Sequence, residues 1–230
     1  MKDSYDEKDS YNEWPWDSVR PNGEIHADYL KKAWPSPEDV INEWKTYSWM
    51  PGEKGESVLD VGCGHARYLD YFVNIKHMNY AGLDNSERMI EICHETYPDY
   101  NFVKAAIPQN SHDDTKLPFE DNVFDLIFCW DVLRHLFSAE GAVLPEFFRV
   151  AKKYVVVSQV VSLNNEPVIF QHPHGTMEID RTIKEIHELM DDLAQEANCI
   201  LLEKHFLYGM DRNRENYIYV FKNNKDKSEI

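Results

Sequence analysis

Two places in this 230-residue chain bring together residue types that could do chemistry. The first is VLDVGCGHARYL, residues 58–69, where an apolar run ends in Asp60 and turns through Gly62 and Gly64 into an amphipathic pattern. A carboxylate beside two bare backbone positions at a strand end suits a ligand that is partly cationic and must approach the main chain closely. The second is a set of proton acceptors: Asp131 and His135 in DVLRHL, and His172 and His174 in VIFQHPHGTMEID. An imidazole titrates at about 6.5 and, when neutral, can take a proton from a reacting hydroxyl or ammonium. Glu178 and Asp180 stand near the two later histidines, yet four potential ligands in one loop, without the helical histidine pair of HExxH, do not make a metal site.

These residues need elements to position them. Short apolar runs at 57–61, 79–83, 101–106, 124–130 and 153–161 read as strands. Helical patterns near 66–76, 86–97 and 138–150, and a less regular connection over 107–123, lie between them. Leu69, Phe72 and Val73 mark the buried side of the first helix; Met89, Cys93 and Tyr97 mark that of the second. Repeated β-α units imply a mostly parallel sheet covered on both faces. A helix over 181–197 precedes two runs, 199–207 and 216–222, joined by GMDRNREN. That joint is too short for a crossover, so the pair forms an antiparallel hairpin at a sheet edge.

Composition narrows the partners. With 43% hydrophobic residues the chain can bury a sizeable core, and a formal charge of −17 argues against a phosphate-binding surface. Cys63, Cys93, Cys129 and Cys199 form no CxxC pair and read as buried thiols in a reducing, cytoplasmic setting. No apolar run is long enough to span a bilayer, and the acidic first residues carry no secretory pattern. Residues 1–50 are rich in aromatics, among them Trp14, Trp16, Trp34 and Trp44. Ser36 and Pro37 read as the start of a helix there.

The neighbours of the glycine corner say which ligand fits. A dinucleotide fingerprint wants glycine where Arg67 stands, and the GxxxxGK[ST] phosphate loop is absent. Asp60 would repel a pyrophosphate. The second strand ends NYAGLDNS, which puts Asp84 at the adjacent strand tip, where a carboxylate can accept from both hydroxyls of a ribose. A cation and a ribose without phosphate describe S-adenosylmethionine.

With YAGLDNSERMIEIC and LPFEDNVFDLIFCWDVLRHL following in order, the chain resembles the class I S-adenosylmethionine-dependent methyltransferases, over roughly residues 55–160. Within them it is similar to small methyltransferases with a GCG corner and an LPF…FD segment. The resemblance implies an α/β fold, a doubly wound, mostly parallel seven-stranded sheet with an antiparallel C-terminal strand. It implies that Asp60, Gly62, Cys63 and Gly64 line the methionine part of the cofactor, that Asp84 holds the ribose, and that Asn85 flanks the adenine. Cys129 and Trp130 would border the methionine moiety and the methyl group.

Three departures from the family pattern stand out. Ala66 replaces a frequent third glycine. No Asp directly follows the third strand, so either Asp113 or Asp114 reaches back to the adenine, or Ala106 and Ile107 contact it through backbone and packing. RVAKKYVVV passes straight from helix to strand without the usual KPGG turn.

On this reading residues 1–50 form a helical lid, 51–223 the cofactor-binding domain and 224–230 a polar tail. Trp14, Trp16, Arg20 and Asp131 are candidates for contact with the acceptor, and Arg20 equally for the cofactor carboxylate. His135, His172 and His174 are the candidate bases. The expected reaction is methyl transfer to oxygen or nitrogen of a small molecule by a monomer or homodimer. An RNA base-modifying enzyme of the same fold is the alternative, and a non-catalytic scaffold the reading from another class.

Overall fold

A computed structural model describes residues 17–19, 23–33, 38, 41, 49–108, 114–136, 140–171, 177–211 and 213–224. Five strands run parallel at its centre: β1 (Ser57–Val61), β2 (Asn79–Asp84), β3 (Asn101–Lys104), β4 (Phe124–Cys129) and β5 (Ala151–Ser162). Their order is β3-β2-β1-β4-β5, so the chain reverses direction across the sheet between β1 and β4. Four of the five residues of β1 are buried, as expected of a strand covered on both faces.

Two further hairpins attach to β5. β8 (Cys199–Asp211) and β9 (Arg214–Asn223) form the edge hairpin expected from the sequence, with β9 antiparallel to β5. With these two, seven strands form the expected mostly parallel sheet with an antiparallel last strand, and a further hairpin extends it to nine. The second hairpin, β6 (Val168–Gln171) and β7 (Met177–Thr182), was not legible as strands. β5 outruns β4, whose register ends at Val157, and β7 pairs with its protruding Val161 and Ser162. The additional hairpin therefore stands at the carboxyl end of β4.

The helices are set by local signals. Helix α1 covers His26–Ala33, α2 Glu87–Thr96, α3 Glu140–Val150 and α4 Ile183–Glu196. Ser86 caps α2 by accepting from Met89 N–H at 3.0 Å. Thr182 and Glu185 close a capping box at the start of α4. α3 ends at Val150 and β5 starts at Ala151, so the missing KPGG turn is a direct helix-to-strand passage.

The expected helix over 66–76 is only partly formed. Ala66 has φ 61°, a left-handed value that interrupts a right-handed helix, and regular winding starts only at Leu69 and runs into a π-helical turn, Tyr71–Ile75. The i+5 bond from Lys76 N–H to the Tyr71 carbonyl, 3.1 Å, closes it. Strand β3 stops at Lys104 rather than 106.

The LPF…FD segment proves to be a brace. Arg149 donates to the carbonyls of Leu117 and Phe119 at 3.1 and 2.8 Å, while Glu146 accepts from Leu117 N–H. Asp125 accepts from the Ser57 backbone and hydroxyl at 2.9 and 2.8 Å, tying the start of β4 to that of β1.

The core is divided by the sheet. On one face Val155 and Val157 of β5 share a cluster with Phe147 of α3 and Ile186 of α4; on the other Tyr68, Phe72, Phe128 and Trp130 pack together. Ala27 and Leu30 of α1 bury against Met89 and Ile92 of α2. Trp14, Trp16, Trp34 and Trp44, and the helix start at Ser36–Pro37, lie outside the described residues. Among the described residues no helix is long and apolar enough to cross a membrane.

Candidate active site

β1, at the middle of the sheet, delivers Asp60 and then the corner. Gly62 and Gly64 have φ 74° and 55°, backbone that favours glycine. A Cβ on Gly62 would lie 2.3 Å from Val132 Cγ2, so the loop after β4 closes down on the bare backbone there. The N–H groups of Gly62 and Cys63 both donate to the Leu83 carbonyl, at 2.7 and 3.0 Å, and bind the corner to the tip of β2.

Asp84 is the hub. One carboxylate oxygen accepts from Gly64 N–H at 2.9 Å and the other from Ser86 N–H at 2.9 Å. Burial raises its pKa, while those backbone donors pull the other way. Each oxygen has a second lone pair, so the carboxylate can hold its backbone partners and still accept from a vicinal diol.

Asp60 is nearly inaccessible and accepts a 2.6 Å bond from the Tyr80 hydroxyl. Burial pushes its pKa up to about 7, against the Tyr80 bond and the charge of Arg67. A buried acid poised there gains from a nearby cation, which is what a sulfonium or ammonium would bring.

The other predicted cofactor residues fall around this hub in different ways. Asn85 is half-buried just past β2, Ala106 is exposed, and Ile107 is buried in the core. The Cys63 side chain turns away from the crevice, toward Gly82, whose Cβ it would meet at 2.9 Å. Cys129 is fully buried, and the Trp130 ring stacks on Phe128 with centroids 5.7 Å apart. The side chains of these three residues thus serve packing. Burial pushes the Cys63 and Cys129 thiols well up, which suits inert packing.

Asp131 sits at the tip of β4 with φ 57°, a conformation that side-chain-bearing residues rarely adopt. Its N–H donates to Ser158 Oγ at 2.8 Å, and its carboxylate meets the Arg67 guanidinium at 3.2 Å. Arg67 in turn lies over the Tyr68 ring, 4.7 Å from its centroid. The pair bridges the turns after β1 and β4. His135 is half-buried in the short turn Leu133–His135, whose neighbour Arg134 pairs with buried Asp180 of β7 at 3.4 Å. His172, His174, Trp14, Trp16, Arg20 and Asp113 lie outside the described residues. Asp114 is exposed.

Sequence reasoning missed three residues here. His65 is buried, which lowers its pKa to about 4 and keeps it neutral at the corner. Arg67 had served only to exclude a dinucleotide fingerprint. Asp17 reaches the amino end of α2 from 70 residues away: both oxygens accept backbone N–H groups, those of Arg88 and Glu87, at 3.1 Å. For His65 and Arg67 a signal existed in their place within the glycine corner; for Asp17 there was none.

Residues 58–154 match the family of the methyltransferase domain. The fold, the corner and this match together identify a class I S-adenosylmethionine-dependent methyltransferase domain in the chain. The sterol 24-C-methyltransferase erg6 of Schizosaccharomyces pombe is 35% identical over 98 residues, 43% of this chain and 25% of that protein. Phthiotriol/phenolphthiotriol dimycocerosates methyltransferase 1 of Mycobacterium ulcerans is 31% identical over 117 residues, 50% of this chain and 40% of that protein. The match thus spans less than half the length of either relative. The crystal structure of Burkholderia thailandensis 1,6-didemethyltoxoflavin-N1-methyltransferase, with S-adenosylhomocysteine bound, superposes with a TM-score of 0.54. It is 15% identical, and the alignment covers 74% of this chain and 72% of that one, a likeness of fold.

The cofactor of this class is S-adenosylmethionine, and the site fits it: a carboxylate at Asp84 with lone pairs left beyond its two backbone donors, a buried acid at Asp60, and a corner with no room for a side chain at Gly62.

Proposed function

We propose that this chain transfers a methyl group from S-adenosylmethionine to oxygen or nitrogen of a small molecule. The observation that carries the reading is the Asp84 carboxylate, held by Gly64 and Ser86 N–H groups at the end of a central strand, beside a buried acid at Asp60. Bound there, the cofactor supplies a methyl group activated on a cationic sulfur.

The chain's own part is to bind, align and exclude water. Asp84 accepts from the ribose, and Gly62 and Gly64 admit the methionine portion against their backbone. Asn85, Ala106 and Ile107 border the adenine. Asp131, locked by Ser158 and Arg67, presents a carboxylate at the tip of β4 where an acceptor's hydroxyl or amine can donate to it. Where the acceptor must lose a proton, His135, His172 or His174 takes it. Trp14, Trp16 and Arg20 belong to the segment assigned to acceptor contact, and the protein acts in the cytoplasm as a monomer or homodimer.

The net charge of −17 favours a small acceptor over RNA. The Burkholderia neighbour and the mycobacterial relative are named for organic acceptors that are not nucleic acids. The test is a screen of small-molecule acceptors with isotopically labelled cofactor and mass spectrometry of the product. Label in an N- or O-methyl product is expected. Label only in RNA, or on carbon as the sterol relative's name describes for that protein, would replace the reading.

A further inference from the structure

We infer that Asp17 is a positioning residue for the cofactor: residues 17–19 and 23–33 form a strap that fixes the amino end of α2 and, through Ser86, the carboxylate of Asp84. The inference rests on the assignment of Asp84 to the ribose made above.

The first turn of a helix leaves backbone N–H groups without intrahelical partners. In α2 they are satisfied from two sources. Ser86 Oγ accepts from Met89 N–H, the ordinary local cap. Asp17 takes the other two: one carboxylate oxygen accepts from Glu87 N–H and the other from Arg88 N–H. Asp17 also accepts from the Ser86 hydroxyl at 2.5 Å. Ser86 is thus a link between two carboxylates, with its hydroxyl on Asp17 and its N–H on Asp84.

The contact is more than a single cap. Arg88 reaches back to both oxygens of Asp28, at 2.9 and 3.3 Å. Lys31 donates to Thr96 at the far end of α2, at 3.2 Å. Ala27 and Leu30 cover Met89 and Ile92 between these polar ends. The strap therefore follows α2 along its length, and its first anchor is the one next to the ribose carboxylate.

A local cap already exists in Ser86, so helix formation does not require Asp17. Two negative groups joined through one serine also oppose each other, and the Asp17 charge raises the Asp84 pKa. A contact that works against the charge of its neighbour, yet satisfies three donors around it, makes sense if the exact placement of Ser86 matters. Donors on the ribose offset that repulsion when they reach Asp84, so strap docking and ribose binding support each other, and by linkage the support is mutual.

The test titrates S-adenosylhomocysteine and its 2′,3′-dideoxy analogue into the full-length chain and its Asp17→Ala variant by calorimetry. The variant is expected to bind S-adenosylhomocysteine on the order of fivefold more weakly, the equivalent of one lost cap. Its affinity for the dideoxy analogue should stay within about twofold of the parent, because that ligand makes no call on Asp84. Asp17→Asn keeps an acceptor and should recover most of the loss; Asp17→Ser, too short to reach both N–H groups, carries the test with the same two ligands should Asp17→Ala fail to fold. Equal losses for the two ligands would show a merely structural cap and overturn the inference, as would no loss for either. Parent protein that binds both ligands equally would refute the ribose assignment itself, and the inference with it.

Discussion

Replacing Asp60 by asparagine should make the ligand-free protein more stable at pH 8 and weaken its hold on the cofactor. Asp60 is almost wholly buried, and its pKa rises from 3.8 to about 7. A rise of roughly three units, at 1.36 kcal/mol each, puts the cost of ionising this carboxyl in the fold at about 4 kcal/mol. The sign follows from the direction of the shift. Because the folded pKa is the higher one, the group's favourable contribution is complete below about pH 4 and is lost as pH rises toward 7. The amide introduced by Asp60→Asn cannot ionise, and its carbonyl can still accept from the Tyr80 hydroxyl, which donates to the carboxylate at 2.6 Å.

Urea unfolding of parent and variant at pH 5 and pH 8 reads the effect. The variant should gain about 2–4 kcal/mol at pH 8 and much less at pH 5. Calorimetry with S-adenosylmethionine should show the parent's affinity rising from pH 6 to 8 as Asp60 ionises beside a cation, and a weaker, flat profile for the variant. A variant destabilised by the same amount at both pH values would refute this account. Asp60 would then be an ordinary buried hydrogen-bond partner.

Asp84→Ala is expected to weaken cofactor binding by on the order of 10- to 100-fold, the equivalent of one or two charge-assisted bonds. It should also cost about 1–3 kcal/mol of stability, because the N–H groups of Gly64 and Ser86 lose their acceptor; calorimetry and chemical unfolding separate the two effects. Ala66→Gly should leave stability unchanged or raise it by up to about 1 kcal/mol, since relief of a left-handed alanine at φ 61° outweighs the added freedom of the unfolded chain. A loss above that size on thermal unfolding would contradict it. Single alanine variants at His135, His172 and His174 should identify the base by a loss of turnover of about 10²–10⁴-fold with cofactor affinity intact. The rate profile of the parent should rise through about pH 6.5. Near-normal turnover in all three would point to alignment alone, or to Asp131.

Much of this protein was legible because its signals are local. The runs that became β1, β2 and β4 have apolar centres, Val58–Leu59, Tyr80–Ala81 and Leu126–Cys129, as strands need when both faces are covered. Apolar spacing placed the helices expected over 86–97 and 181–197 within two residues of α2 and α4. Gly62, Gly64 and Asp84 are tied to strand ends, so reading the strands placed the residues. The helix expected over 66–76 was misjudged because apolar spacing reports which side is buried; the left-handed Ala66 is imposed by the corner into which it must fit.

What tertiary structure alone decided are the contacts between distant segments. The hairpin of β6 and β7 exists because β5 outruns β4 and leaves Val161 and Ser162 with a free edge, a length relation between strands that no single segment carries. Arg67 and Asp131 are 64 residues apart and meet because β1 and β4 are neighbours in the sheet. Asp17 reaches α2 across 70 residues, and no periodicity, cap pattern or motif near it announces that partner. Local propensity acts over one turn or one strand, whereas a carboxylate finds a helix end wherever the packing of α1 on α2 brings it.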